Sequence, residues 1–308
     1  MEVKLKVTIL LATYNRAHLI EETLNSIQNQ TYQNFECLII DDGSIDNTID
    51  IIQPFLEDSH FTYRRRTSSY KKGLSGCRNL GLDLATGSFI IFFDDDDIIH
   101  PQNLECCLDE LQSNSYDFCR YQRKVFNGVF TYDFDEHSNY TSFEIKGRRL
   151  PDLITNKLPF NSCAVMWRKD CFDENRFIES LQYAEEWELY SRILAAGKKG
   201  ISINKTLYYA RKHPNSNTGE FYSGNKNRMH SKIEASKLII SNLNQKNLLS
   251  PELIHFFCWE SFRYKNHELF QHLIQQSSLN SLQKIDLKLR YHFSPFIKYW
   301  ILLKKKWM

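Results

Sequence analysis

The sequence predicts an α/β protein, a doubly wound sheet with helices on both faces, followed by a helical C-terminal region. Three observations carry this. Short apolar runs alternate with amphipathic stripes through the first hundred residues; three of those runs stop at polar or acidic clusters; and Gly and Pro become sparse beyond about Gly224. Continuous apolar runs suit strands buried on both faces of a parallel sheet. Strand and helix in alternation imply crossover units of one hand.

Val7–Ala12 is the first such strand. Leu19–Gln28 follows as a helix, with Leu19, Ile20, Thr23, Leu24 and Ile27 on one stripe. Phe35–Ile40 is a second strand ending in Asp41-Asp42-Gly43-Ser44, and Ile45–Leu56 reads as a second helix. Phe61–Arg66 is a third strand, Leu74–Ala85 a helix, and Phe89–Phe93 a fourth strand that stops at Asp94-Asp95-Asp96-Asp97. Residues 118–178 mix short strand-like pieces with turns. Glu185–Ala196 is a helix closed by Gly197, and Gly200–Ala210 a strand leading into the polar loop Arg211–Gly219. The pattern divides the chain into a domain at residues 1–223 and a helical region at 224–308.

Ligands of such sheets bind beyond the carboxyl ends of the strands, at the topological switch point. Tyr14-Asn15-Arg16, Asp41-Asp42-Gly43-Ser44 and Asp94–Asp97 all stand at strand ends and should open on one crevice. Four adjacent carboxylates after a buried strand are costly to ionise without a cation. A divalent metal bridging diphosphate oxygens relieves that cost, because hard cations favour carboxylate and phosphate oxygen. Asp94 and Asp96 are the candidates to face the diphosphate, with Asp96 the first choice as metal ligand. The bland alternative is a solvated acidic loop, or the N-terminus of a helix over Ile98–Leu111. Asp42 can accept a hydrogen bond from the N3–H of uracil, which favours UDP over CDP without excluding GDP. Tyr14 offers a face on which a base can stack. As a purely structural element, Asp41–Ser44 would be a turn and helix cap, with Ser44 or Asp46 capping; both roles are compatible.

Taken together, Thr13-Tyr14-Asn15-Arg16, Gln30-Thr31-Tyr32, Phe35-Glu36, Asp41-Asp42-Gly43-Ser44 with Asp46, Gly73-Leu74-Ser75 with Arg78-Asn79, Gly87 and Asp94–Asp97 resemble the family-2 glycosyltransferases of GT-A fold. The likeness runs over roughly residues 5–216. It implies a Rossmann-like mixed sheet and inverting transfer of a sugar from a nucleotide diphosphate, with Mn2+ or Mg2+ as cofactor. It also implies that Ala12 and Tyr14 line the base, that Asp42 hydrogen-bonds it, and that Arg16, Arg78, Asp94 and Asp95 belong to the nucleotide site. Asp96, with Asp94, would hold the metal. The family usually opens a later helix with Glu-Asp and closes it with Arg. Here that stretch is Glu185-Glu186-Trp187-Glu188-Leu189-Tyr190-Ser191-Arg192, with Glu186 where an Asp is usual. An inverting displacement needs a carboxylate to take the acceptor's proton, so Glu186 is the candidate base and Glu185 the alternative. Otherwise this is an acidic first turn that suits the helix dipole. Arg211 and His213 would stand in a loop over the diphosphate, His213 also completing the metal shell; a lone loop histidine is otherwise an ordinary surface residue. Asn161–Trp167 and Tyr183 are expected to face the acceptor.

Other classes fare less well. A formal charge of +2 argues against a nucleic-acid binder. A sugar-nucleotide pyrophosphorylase would need a glycine-rich basic loop, yet residues 11–18 hold no Gly and only Arg16. A degenerate transferase that binds nucleotide or saccharide without turnover is the alternative, favoured by Glu186. The eight cysteines show neither a C-x-x-C pair nor zinc spacing, so a reducing, cytoplasmic setting is expected. Residues 1–6 lead directly into a strand pattern, so no signal peptide is expected, and no run of about 18 apolar residues suggests a spanning helix. The partners expected are a UDP-sugar donor and a saccharide or lipid-linked glycan acceptor. The segment Lys284–Met308 mixes basic and aromatic residues. It suits either peripheral contact with an anionic membrane or a packed helix with a solvated basic end.

Overall fold

A computed structural model describes residues 5–113, 115–212, 217–289 and 291–292. The chain divides into two compact units, Met1–Ser231 and Lys232–Met308.

The first unit carries β1 (Val7–Thr13), α1 (Ile20–Gln28), β2 (Phe35–Asp41), α2 (Thr48–Ile52), β3 (Phe61–Arg65), α3 (Leu74–Leu84), β4 (Phe89–Asp94) and β5 (Ile98–Ile99). It continues with α4 (Asn103–Ser113), β6 (Phe118–Phe126), β7 (Ser142–Ile145), α5 (Leu150–Ile154), β8 (Val165–Arg168), α6 (Glu185–Ala195), β9 (Gly200–Arg211) and α7 (Asn217–Tyr222). The strands form one mixed sheet in the order β3-β2-β1-β4-β8-β6-β9-β5, with β7 paired to β9. β3, β2, β1 and β4 are parallel, and β8 runs antiparallel to β4. The chain leaves β1 toward β2 and β3, then returns to its other side as β4. The carboxyl end of β1 is therefore the switch point.

Alternation along these strands sets the two faces. Val7, Ile9 and Leu11 join Cys37 and Ile39, Ile91 and Phe93, and the apolar stripes of α1 (Ile20, Leu24, Ile27) and α4 (Leu104, Leu108, Leu111) in one buried cluster. The opposite face carries α3, which comes so close that a Cβ on Gly81 would stand 2.8 Å from Leu10 Cδ2. On that same side Phe92 meets the edges of Phe172 and Phe177 at 5.6 and 5.3 Å between ring centres.

Two expected helices are shorter than their patterns. The Ile45–Leu56 segment is α2 followed by a 3-10 turn, Gln53–Glu57. Asp46 holds the Thr48 amide at 3.1 Å and its hydroxyl at 2.5 Å, delaying the start, and Pro54 cannot donate within an α-helix. Within Ile98–Leu111, Ile98 and Ile99 pair with Tyr209 and Tyr208 of β9, and the helix begins only at Asn103, beyond Pro101.

The second unit continues α8 (Lys226–Gln245), which crosses the division, and adds α9 (Pro251–Arg263) and α10 (His267–Gln276). Ser250 and Asn266 cap α9 and α10 through the amides of Leu253 and Leu269, at 3.4 and 2.7 Å. Residues 281–289 are helical, and Tyr291 stacks on Phe270 at 3.9 Å. All eight cysteines are thiols; seven, all in the first unit, are buried, and Cys258 in the second is partly exposed. Among the described residues no helix is long and apolar enough to cross a membrane.

Candidate active site

The loops after β1 and β2 are built against each other. Asn15 adopts a left-handed backbone (φ 53°). Its side-chain oxygen accepts from the Ile45 amide at 2.9 Å, and its own amide donates to Ser44 Oγ at 2.9 Å. The Arg16 amide donates to Thr48 Oγ1 at 2.9 Å. Asp41 is buried and serves the turn: its carboxylate accepts from the amides of Gly43 and Ser44, the Ser44 hydroxyl (2.6 Å) and the Tyr63 hydroxyl (2.8 Å). Gly43 permits that turn with φ 97°. Burial, and then this bond to Asp41, pushes the Tyr63 hydroxyl up to about 12. Asp41 being so committed, Asp42 is the carboxylate left for other work, and Arg66 pairs with it at 2.5 Å. Ala12 lies between Ile40 and Asp94 in the ladder. Tyr14 is 41% exposed, with the Lys72 ammonium 4.5 Å from its ring centre.

At the end of β4 the four aspartates separate by environment. Asp95 is buried and paired with Arg16 at 3.2 Å; burial raises its carboxyl to about 7 against the pull of Arg16. Asp97 is buried and accepts the Arg211 amide at 2.7 Å, its carboxyl raised by burial and by Asp96 and Asp94. The Asp94 side chain stays 38% open, yet desolvation raises its carboxyl too, with Arg78 opposing and Asp96 and Glu186 adding to the rise. Its amide donates to the Tyr208 hydroxyl at 3.0 Å. Asp96 is partly exposed. Three carboxyls held against ionisation beside few cations form a donor set that fits a hard divalent cation. Carboxylate oxygens of Asp94 and Asp97 and the Cys163 sulfur lie within 4.8 Å of one another.

Across the crevice stands the head of α6. Ala184, just before it, is left-handed (φ 63°), an uncommon backbone for a residue with a Cβ. Glu185 is 5% exposed and pairs with Arg78 at 3.5 Å. Burial, then Glu186, raises its carboxyl to about 7, while Arg78 opposes the rise. Arg78, itself 3% exposed, reaches Asp94 at 3.2 Å and Ser162 Oγ at 3.0 Å, with the rings of Phe92 and Phe177 at 5.5 and 5.3 Å. One guanidinium therefore joins the end of β4 to the head of α6. Glu186 is partly exposed and close enough to raise Asp94, Glu185 and Tyr183 electrostatically. The helix is locked behind it: Trp187 Nε1 donates to the Ile154 carbonyl at 3.2 Å, and Arg192 forks onto Glu188 at 2.6 and 2.9 Å.

Three placements differ from the sequence reading or extend it. Trp167 is wholly buried between Phe118 and Tyr190, a core residue and not an acceptor contact. Arg211 turns its guanidinium to Glu22, the Asp96 carbonyl (2.9 Å) and the Gly128 carbonyl (2.6 Å), bracing the acidic loop. Tyr183 stacks on Phe221 at 4.4 Å. His213 lies outside the described residues. Sequence reasoning overlooks Arg66 and Phe177, and it names the segment around Ser162 without giving that residue its contact to Arg78. Of these, Arg66 carries a usable signal, since it ends the third expected strand as the other clusters end theirs.

A mixed sheet with acidic strand ends at its switch point, facing a helix headed by two glutamates, is the GT-A fold of nucleotide-sugar glycosyltransferases. The chain belongs to glycosyltransferase family 2, whose model, described as Glycosyl transferase family 2, matches residues 8–176. It is 30% identical over 213 residues to an uncharacterized glycosyltransferase of Rickettsia felis, covering 69% of this chain and 34% of that one. It thus spans about a third of that relative's length. Over 121 residues it is 36% identical to the Escherichia coli UDP-Glc:alpha-D-GlcNAc-diphosphoundecaprenol beta-1,3-glucosyltransferase WfgD, covering 39% of this chain and 47% of that one. In fold it is similar to S. aureus TarS 1-349, solved in complex with UDP, with a TM-score of 0.68 at 21% identity, covering 94% of this chain and 87% of that one.

Proposed function

We propose that the chain is an inverting transferase that moves a sugar from a UDP-sugar to a saccharide carried on a lipid, and that residues 1–223 are its catalytic domain. The observation that carries this reading is Arg78, which ties the carboxylate at the donor end of the crevice to the glutamate pair at its acceptor end. Asp42, oriented by Arg66, accepts from the uracil N3–H, with Tyr14 stacked on the ring and Ala12 beneath it. Arg16 steadies Asp95, and Arg78 steadies Asp94, beside the diphosphate. Asp96 and Asp94 would hold Mn2+ or Mg2+, which would supply charge neutralisation for the departing diphosphate.

Glu185 is buried and committed to Arg78, so the base is its more open neighbour, Glu186. Glu186 takes the proton of the acceptor hydroxyl. That oxygen bonds to the anomeric carbon from the face opposite the diphosphate, and the bond to the diphosphate breaks, UDP leaving with the electron pair. Attack from the opposite face inverts the anomeric centre. The lipid-linked acceptor is supported by the likeness to WfgD, whose name specifies a diphosphoundecaprenol-linked acceptor.

The test is calorimetry with UDP, GDP and CDP, with and without Mn2+, followed by turnover of UDP-sugars on polyprenol-diphosphate saccharides. Metal-enhanced binding selective for UDP, followed by transfer with inversion, is expected. Failure of every nucleotide to bind would overturn the reading. UDP binding without turnover of any UDP-sugar would favour a nucleotide-binding module, the outcome to which Glu186 in place of the usual Asp points.

A further inference from the structure

Four arginines at the acidic crevice have partners of their own. Arg16 pairs with Asp95, Arg66 with Asp42, Arg78 with Asp94 and Glu185, and Arg211 with Glu22 and the Asp96 carbonyl. Arg123, on β6, does not. It is exposed, and its side chain makes no ion pair or hydrogen bond among the described residues. Its charge nevertheless reaches the crevice: burial raises the Asp94 carboxyl, with Arg78 and then Arg123 opposing the rise. A guanidinium that stands beside a half-open carboxylate without closing on it keeps its planar fork for an anion from outside the chain.

The sheet registers place this residue. Met166 of β8 pairs with Ile91 of β4 on one side and with Cys119 of β6 on the other, both antiparallel. β4 and β6 therefore run the same way, with Ile91 and Cys119 in one row. Asp94 stands three residues beyond that row and Arg123 four, at the same edge of the sheet. β8 begins at Val165, level with Arg120, so both strand ends project past it, their backbones two strand spacings or about 10 Å apart. The ladder from β6 to β9 shifts register on either side of Gln122, an irregularity that re-aims side chains beside sites, and it sets Arg123 opposite Tyr208. The Tyr208 hydroxyl is the group that accepts from the Asp94 amide.

In the transferase reading, uracil lies over β1 and β2 and the donor diphosphate at the end of β4. Arg123 stands on the other side of β4, away from β1 and β2, where the acceptor must enter. We infer that Arg123 is an anion subsite for the acceptor, taking the diphosphate that joins the accepting saccharide to its lipid. This subsite rests on the transferase reading above. A neutral saccharide would offer the guanidinium no opposite charge, and the donor diphosphate would already have its cation at Asp96 and Asp94.

The experiment is calorimetry with geranyl diphosphate, a diphosphate on a short isoprenoid, titrated into the full chain already saturated with UDP and Mn2+. Geraniol is the uncharged control, and Arg123→Met and Arg123→Lys are the variants. The side chain is exposed and unpaired, so both variants should melt with wild type. Geranyl diphosphate should bind wild type and geraniol should not. Arg123→Met should weaken that binding by at least about tenfold and Arg123→Lys, which keeps the charge, by less. The UDP affinity of both should stay within about twofold of wild type. Absence of geranyl diphosphate binding, equal binding of geraniol, or an Arg123→Met variant that binds as well as wild type would overturn the inference. So would a loss of UDP affinity of about tenfold in Arg123→Met, because the guanidinium would then serve the donor. Failure of UDP to bind wild type would overturn the transferase reading and the subsite with it, a result distinct from all the others.

Discussion

Replacing Arg78 by methionine tests whether one guanidinium holds both sides of the crevice. Methionine keeps an unbranched apolar stem between Phe92 and Phe177 and removes the charge that reaches Asp94 and Glu185. With Arg78 present the Glu185 carboxyl has already moved from 4.5 to about 7, so holding its ionised form in the native state costs roughly 3 kcal/mol. The sign follows from proton counting. Between about pH 4.5 and 7 the native state keeps a proton that the unfolded chain has released, so this contribution to stability is intact at low pH and lost as pH rises through 7. Removing Arg78 raises the carboxyl further, deepening the loss and extending it above pH 7. Near pH 4.5, where Glu185 is protonated, the variant loses chiefly the bonds to Ser162 and Asp94, about 2 kcal/mol. At pH 8 it leaves the buried Glu185 carboxylate without its partner, about 3–5 kcal/mol. Urea unfolding of both proteins at pH 5, 6, 7 and 8 in a metal chelator measures the difference. A deficit that is flat across this range, or smaller at pH 8 than at pH 5, refutes the reasoning.

Glu186→Gln should lower kcat by about 10²–10⁴ while leaving UDP affinity within about twofold by calorimetry; a loss under about tenfold would remove Glu186 as base. Asp96→Asn should cut the Mn2+ enhancement of UDP binding by about tenfold or more, and an unchanged enhancement would move the metal to other carboxylates. Ala184→Gly should stabilise the fold by about 0.5 kcal/mol, since relief of the left-handed backbone slightly exceeds glycine's entropy cost. Differential scanning calorimetry should then show Tm higher by about 1–2 °C, and a lower Tm would show that the backbone there is unstrained.

What was legible in the sequence follows from periodicity. Val7–Thr13, Phe35–Asp41 and Phe89–Asp94 are buried on both faces, so their apolar runs are uninterrupted and their ends are abrupt. Those abrupt ends place Asp42 and Asp94–Asp97 at one edge of the sheet. Less was legible where the environment comes from distant segments. Nothing local separates Glu185 from Glu186; burial against an arginine 107 positions earlier does. Arg66 pairs with Asp42 because β3 lies beside β2, a fact of strand order. Trp167 falls in the segment expected to face the acceptor and is core because β8 lies between β4 and β6. The early end of the Ile45–Leu56 pattern was readable from Asp46 and Pro54, though its apolar stripe points to a longer helix.

The thiols give this protein an internal clock for its own unfolding. Seven lie buried in the first unit, and burial holds Cys37, Cys77 and Cys171 far above the ordinary thiol range. They cannot meet a disulfide reagent until that unit opens. Cys258, partly exposed, belongs to the second. A colorimetric thiol titration of the untouched chain therefore has two channels, a fast single equivalent from Cys258 and slow release from the other seven. Ligand that closes the crevice would slow only the second channel. A protein with no engineered label thus reports where it is being held together.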